Sequence, residues 1–237
     1  MTAAQRGDRE ELGVGIAGFG WMGQVHARAH ARLLQHYPEA PLRPRLVAVA
    51  DPEPARREQA VGAFGFEAAV ADYRDLLARD DVQVVSVCGP NFVHREIAVA
   101  AAEAGKHIWV EKPAGRDRAD TEAIAAAVHA AGVQSAVGFN YRNAPAVEAA
   151  RDLVSAGEIG DVETVDVYLL SDYAAHPDAV LTWRFDPAFS GTGALGDLAS
   201  HGLDLARYVA GQRVGEIREL VADHATFITE RPEASSA

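Results

Sequence analysis

The chain has 237 residues, of which 49% are hydrophobic and 24% charged, enough for one large α/β domain and part of a second. Its formal net charge of −12 argues against a nucleic-acid partner, because binding phosphates needs a basic face. A single cysteine, Cys88, excludes an internal disulfide and a cysteine-rich metal site, so no metal is expected, and no apolar run approaches a membrane span.

Met1–Leu12 is polar and charged, without the apolar stretch of a secretory signal, which points to the cytoplasm. Leu12–Ala17 reads as a strand and Met22–Gln35 as a helix. Between and into them runs Gly18-Phe19-Gly20-Trp21-Met22-Gly23, a G-x-G-x-x-G loop in the strand-to-helix setting that holds a dinucleotide pyrophosphate. Gly18 permits the tight turn and Gly20 lets backbone approach the phosphates. Gly23 lets the helix pack closely, and the helix N-terminus supplies N–H groups and a positive dipole end.

Residues 36–45 read as a surface loop before the strand Leu46–Ala50. Asp51 closes that strand, where a carboxylate accepts the ribose hydroxyls and repels a 2′-phosphate, favouring NAD over NADP. Two observations keep alternatives open: Asp51 also fits a turn before Pro52, and Arg56 and Arg57 nearby could hold a 2′-phosphate.

A helix over Pro54–Phe64, a short segment near Phe66–Val70 and a helix near Tyr73–Arg79 follow. Val82–Val87 is a strand, with an alanine-rich helix after it from about Phe92 to Ala104 and Gly105 at its left-handed end. His107–Val110 is a strand, Arg118–Ala131 a helix and Val133–Phe139 a strand. Their weak alternation predicts a parallel sheet covered by helices on both faces. Asn91 suits a helix N-cap, and His94 in the first turn faces either the crevice or solvent. The only lysines, Lys106 and Lys112, share one short segment. Pro113 keeps Lys112 out of helical geometry at a strand's carboxyl end, the edge where ligands of open α/β sheets bind.

Beyond Asn140 the pattern changes. Ala146–Ala156 reads as a helix ended by Gly157, and Asp161–Leu170 alternates like a half-exposed strand. A loop runs to about Gly196, a helix reaches Tyr208, and Ile217–Ile228 is strand-like. The tail, Glu230–Ala237, is polar and expected to fray. Asp197 and His201, four apart on a helix, share a face, and a carboxylate beside an imidazole orients it as a base; elsewhere such a pair is more often a surface pair or cap.

Together, Ala17-Gly-Phe-Gly-Trp-Met-Gly23, Gly89-Pro-Asn-Phe-Val-His94, Ala104-Gly-Lys-His-Ile-Trp-Val-Glu-Lys-Pro113, Gly138-Phe-Asn-Tyr-Arg142 and Trp183-Arg184 through Asp204 resemble the glucose–fructose oxidoreductase/inositol dehydrogenase (Gfo/Idh/MocA) family. The resemblance runs from about Leu12 to Ile228. It departs at Ala199, where the family's Asp-x-Gly-x-His pattern has glycine, and in a second domain that normally continues further. The resemblance implies an α/β protein: a Rossmann domain with a doubly wound parallel sheet over 1–140, then a partial α+β substrate and oligomerisation domain over 141–237. It also implies an oxidoreductase moving hydride between a sugar, polyol or related hydroxy compound and NAD, with NADP left open.

In that scheme Lys112, Asp197 and His201 are catalytic: His201 takes the hydroxyl proton, Lys112 steadies the oxygen, and Asp197 holds His201 or the substrate. Asn91, His94 and Glu111 lie toward the nicotinamide half, and Arg142, Trp183 and Arg184 toward the substrate or cofactor wall. The expected partner is a small sugar or polyol, with homo-oligomers if the second sheet is complete. Two alternatives stand beside this one: an NAD-dependent glycoside hydrolase of the same family, and a catalytically silent NAD-binding fragment or regulator.

Overall fold

A computed structural model of the chain describes residues 9–233. The readings made of the first eight and last four residues lie outside that range. Two compact units divide the chain, Met1–Gly138 and Phe139–Ala237.

In the first unit, strands and helices alternate: β1 (Glu10–Ala17), α1 (Trp21–His36), β2 (Leu42–Ala50), α2 (Pro54–Phe64), β3 (Ala68–Val70), α3 (Tyr73–Leu77), β4 (Val84–Val87), α4 (Asn91–Glu103), β5 (His107–Val110), α5 (Arg118–Ala131) and β6 (Ser135–Val137). All strand pairs are parallel, in the order β3-β2-β1-β4-β5-β6. The order reverses between β1 and β4. At such a reversal the loops leaving the strands' carboxyl ends run to opposite sides, and the crevice this makes is the usual ligand site of an open α/β sheet.

Two apolar layers cover the sheet. Val47, Val85, Val87, Ile108 and Val110 pack with Leu76, Ile97, Ala98, Ala101 and Ile124 on one side. Val14, Ile16, Val49 and Phe19 pack with Ala27, Ala60 and Phe66 on the other. Burial on both faces holds for the centre but not the far edge: β5 alternates exposed and buried residues, and β6 is exposed throughout.

Two boundaries move appreciably, the helix expected to end at Tyr208 running on to Val214 and the second strand starting early. Leu42–Arg45, expected as loop, extends β2 and pairs with Glu10–Gly13 of β1. Pro44, the breaker in that stretch, is tolerated because β3 pairs only with Ala48–Ala50, leaving β2 open on that side where a missing N–H costs no ladder bond.

The second unit carries α6 (Pro145–Ser155), short 3₁₀ turns at Asn140–Asn143 and Trp183–Phe185, α7 (Pro187–Ser190), a π-helical turn at Leu195–Ala199 and α8 (Ser200–Val214). Helices α6 and α8 pack together. Asp161–Leu170 and Ile217–Ile228, expected as strands, are not strands among the described residues. Alternation marks which side chains share a face, but a strand also needs a hydrogen-bonded neighbour, and neither segment has a ladder here. Tyr168, Leu170, Val221 and Phe227 are correspondingly exposed.

The tail expected to fray is anchored over its described part. Arg231 donates to the carbonyls of Ala174, His176 and Ala179 and lies 4.1 Å from the Phe185 ring centroid, while the Pro232 carbonyl accepts from Leu181 N–H.

Candidate active site

In the first unit, the glycine loop joins the carboxyl end of β1 to α1. Gly18 has φ +90°, and a Cβ there would stand 2.6 Å from the Gly89 nitrogen, so backbone and close approach both require glycine. At Gly23 a Cβ would stand 2.2 Å from the Gly18 carbonyl oxygen, which fixes how tightly α1 seats on the loop. Gly20 is different. Nothing lies within 4 Å of a Cβ placed there, and Gly20 is also the cap of α1, with no side chain capping the helix. Open space before an uncapped helix N-terminus is the cradle a diphosphate needs, so the dinucleotide fits.

The loop's side chains divide. Phe19 is fully buried, edge-on to Phe64 and Phe66 at 5.1 and 5.6 Å, so its contribution to a ligand is through backbone. Met22 is half-buried against the same core, and Trp21 is 74% exposed.

Asp51 is buried at the end of β2, with Oδ2 accepting from Phe19 N–H at 2.6 Å and Oδ1 from Glu53 N–H at 2.9 Å. Each such charge-assisted bond is worth about 1.5–3 kcal/mol. The carboxylate therefore braces the glycine loop and also makes the turn before Pro52. Arg56 reaches to 3.5 Å of Oδ2, while Arg57 is spent on the carbonyls of Asp51 and Pro52 at 2.8 Å.

Asn91 is buried as the first residue of α4, and the cap position falls on Pro90. His94 faces neither crevice nor solvent. It is 1% exposed, with Nδ1 2.9 Å from the Pro113 carbonyl and Nε2 2.8 Å from the Gly89 carbonyl. Burial holds His94 below the ordinary histidine range, outweighing the pull of the two carbonyls. The ring ties the loop behind Gly18 to the peptide following Lys112. The Lys112–Pro113 bond is cis, and Lys112 is half-buried just past β5.

Glu111 is buried with Oε1 2.9 Å from His26 Nε2 of α1, and its Oε2 accepts from Lys112 N–H at 3.3 Å. Nearby, burial first and the Glu111 charge second push the Cys88 thiol well up, so it stays protonated and inert.

In the second unit, His201 is buried, its ring 4.7 Å from Tyr141 and 5.9 Å from Phe139. Asp197 lies in the π-helical turn, a distortion that recurs at functional sites, and its Oδ2 accepts from the Tyr173 hydroxyl at 2.6 Å. Burial, then this bond, pushes Tyr173 up to about 12, so it remains a donor. Arg142 Nε bonds Asp204 Oδ2 at 2.7 Å and its Nη2 bonds the other oxygen. Expected at the substrate wall, the Arg142 fork is committed to a buried carboxylate. Trp183 and Arg184 are half-buried and stacked, guanidinium 4.5 Å from the ring centroid.

Sequence reasoning missed His26 and Tyr173, and it did not pair Arg142 with Asp204. His26 alone carried a signal, standing one helical turn after Gly23 on its buried face.

Residues 12–139 match a family described as an oxidoreductase family with an NAD-binding Rossmann fold, and residues 147–236 match the GFO/IDH/MocA C-terminal domain. The chain is 40% identical over 223 residues to levoglucosan dehydrogenase of Pseudarthrobacter phenanthrenivorans, covering 94% of this chain and 56% of that protein. It is 33% identical over 198 residues to inositol 2-dehydrogenase of Rhizobium meliloti, covering 84% and 54%. A solved structure of levoglucosan dehydrogenase with NADH and levoglucosan superposes with a TM-score of 0.87 at 39% identity, over 94% of this chain and 60% of that one. The chain thus spans little more than half the length of these relatives. Motifs, sheet order and likeness agree, and the chain belongs to the GFO/IDH/MocA family of oxidoreductases.

Proposed function

We propose that the chain acts as a dehydrogenase on a hydroxyl of a sugar or polyol, with NAD as its cofactor. One observation carries this reading: the glycine cradle after β1 and Lys112 after β5 leave the same carboxyl edge of one parallel sheet. Names of relatives supply the substrate class, since levoglucosan and inositol are both polyhydroxylated rings.

When bound, nicotinamide supplies the hydride acceptor. Lys112 orients the hydroxyl oxygen and stabilises its developing charge, and His201 accepts the proton. Tyr141 and Phe139 hold the His201 ring, and Tyr173 fixes the Asp197 carboxylate that orients the base or substrate. Asn91 and Glu111 shape the nicotinamide side, and Trp183 with Arg184 the substrate side. The buried Asp51 carboxylate disfavours a 2′-phosphate, which supports NAD over NADP. Among the described residues no helix is long and apolar enough to cross a membrane. A lone buried thiol suits the reducing cytoplasm, where we place the reaction. Sheet-mediated self-association needs strands that the described residues 139–233 do not form here.

The test is a nicotinamide-reduction screen of the 237-residue chain against levoglucosan, inositols and common aldoses. We expect turnover with at least one, cut about 10²–10⁴-fold in Lys112→Ala and in His201→Ala. Wild-type rates in both variants would overturn the assignment.

A further inference from the structure

We infer that His26 and Glu111 form a positioning pair that clamps the Lys112 end of β5 to the cofactor helix; the inference rests on the dehydrogenase reading for its consequence, not for its geometry. His26 lies three residues past Gly23 and is 7% exposed. A carboxylate only accepts, so the ring donates from Nε2 to Glu111 Oε1 at 2.9 Å. The second oxygen accepts from the Lys112 N–H, so one carboxylate gathers donors from α1 and from the catalytic segment itself.

The surroundings fix that carboxylate further. Gly138 leaves room for it, since a Cβ there would stand 2.5 Å from Oε1, and Gly138 N–H is in turn bonded to the Val110 carbonyl. The Glu111 N–H is bonded to the Val87 carbonyl of β4. The His26 ring stands edge-on to Trp109 at 5.4 Å. Backbone and side chain of Glu111 are thus both pinned, and the Lys112 peptide with them.

A lysine reaches its target on a flexible four-carbon stem, so the position of its Cα sets where the ammonium dwells. Displacement by about 1 Å can cost a reaction about 10²-fold. Because His26 rides on the helix that begins in the glycine loop, the clamp also sets Lys112 relative to the cofactor cradle.

The chain's two lysines make the test direct. With ¹⁵N-lysine labelling, the amide spectrum holds two lysine backbone signals, and Lys106→Arg identifies them. His26→Phe keeps a ring against Trp109 and removes the donor. We expect it to move the Lys112 signal and leave that of Lys106 in place, with kcat reduced on the order of 10–100-fold and NADH affinity within about twofold. His26→Gln, whose amide can donate to the same oxygen, should recover most of both. An unmoved Lys112 signal in His26→Phe overturns the clamp, as does joint loss of kcat, NADH affinity and both signals without rescue by glutamine. If no sugar or polyol is oxidised by the wild-type chain, the dehydrogenase reading falls, and the amide signals still decide the clamp.

Discussion

Gly20 and Gly23 stand three residues apart and should fail for opposite reasons. A Cβ at Gly23 runs into the Gly18 carbonyl, whereas at Gly20 it enters space that no protein atom fills, on a backbone with φ −69° that alanine adopts freely. Gly23→Ala should therefore lower stability by about 1–3 kcal/mol, the usual cost of overpacking. Gly20→Ala should leave stability within about 0.5 kcal/mol and weaken NADH binding about tenfold or more. Denaturant titration and NADH fluorescence titration separate the two, and equal stability losses would refute the distinction. These glycines were legible in sequence because their reasons are steric and local. The pairing of His26 with Glu111 was not: the two lie 85 residues apart and meet only in the folded chain.

Among elements, the second unit's helices are joined by specific side-chain ties. One of these is the fork of Arg142 on Asp204, which joins the 3₁₀ turn at Asn140–Asn143 to α8. Asp204 is 7% exposed, so Arg142→Ala strands a buried carboxylate and should destabilise this unit by about 1–3 kcal/mol. Arg142→Lys should rescue it only in part, since an ammonium cannot make the paired contact. Trp183 fluorescence during urea unfolding, with Trp21 and Trp109 replaced by phenylalanine in every chain compared, would read this. The elements legible in sequence were those whose partners are covalently near: α2, α5 and β5 begin and end where spacing and glycine predict. Extended segments of the second unit were misread because pattern carries no information about whether a neighbouring strand is at hand.

At the scale of the molecule, acid should act through α1. His30 is half-buried against Ser86, and burial, then the neighbouring His26, lowers it from 6.5 to about 4. Between those values the unfolded chain binds a proton that the folded chain refuses. Stability is therefore fully present above pH 6.5 and falls on acidification by up to about 1.4 kcal/mol per pH unit toward pH 4. His94, also lowered, acts in the same direction. Urea midpoints at pH 7 and pH 5 should differ accordingly, and His30→Gln should flatten the difference. The Rossmann domain was legible as a whole because each buried strand announces itself, while candidates for the site could be named only where a motif offers them. The pairings of Asp204 with Arg142 and of Tyr173 with Asp197 belong to no local pattern.

The strand order has a temporal consequence. β1 carries the glycine loop, yet one of its two neighbours, β4, arrives 70 residues later, as the pairing of Val14 with Val84 requires. At ribosomal rates of about 5–20 residues per second, the loop waits roughly 4–14 s for the Cys88–Gly89 backbone against which Gly18 packs. The most local feature of the sequence is thus among the later parts of its domain to reach final form.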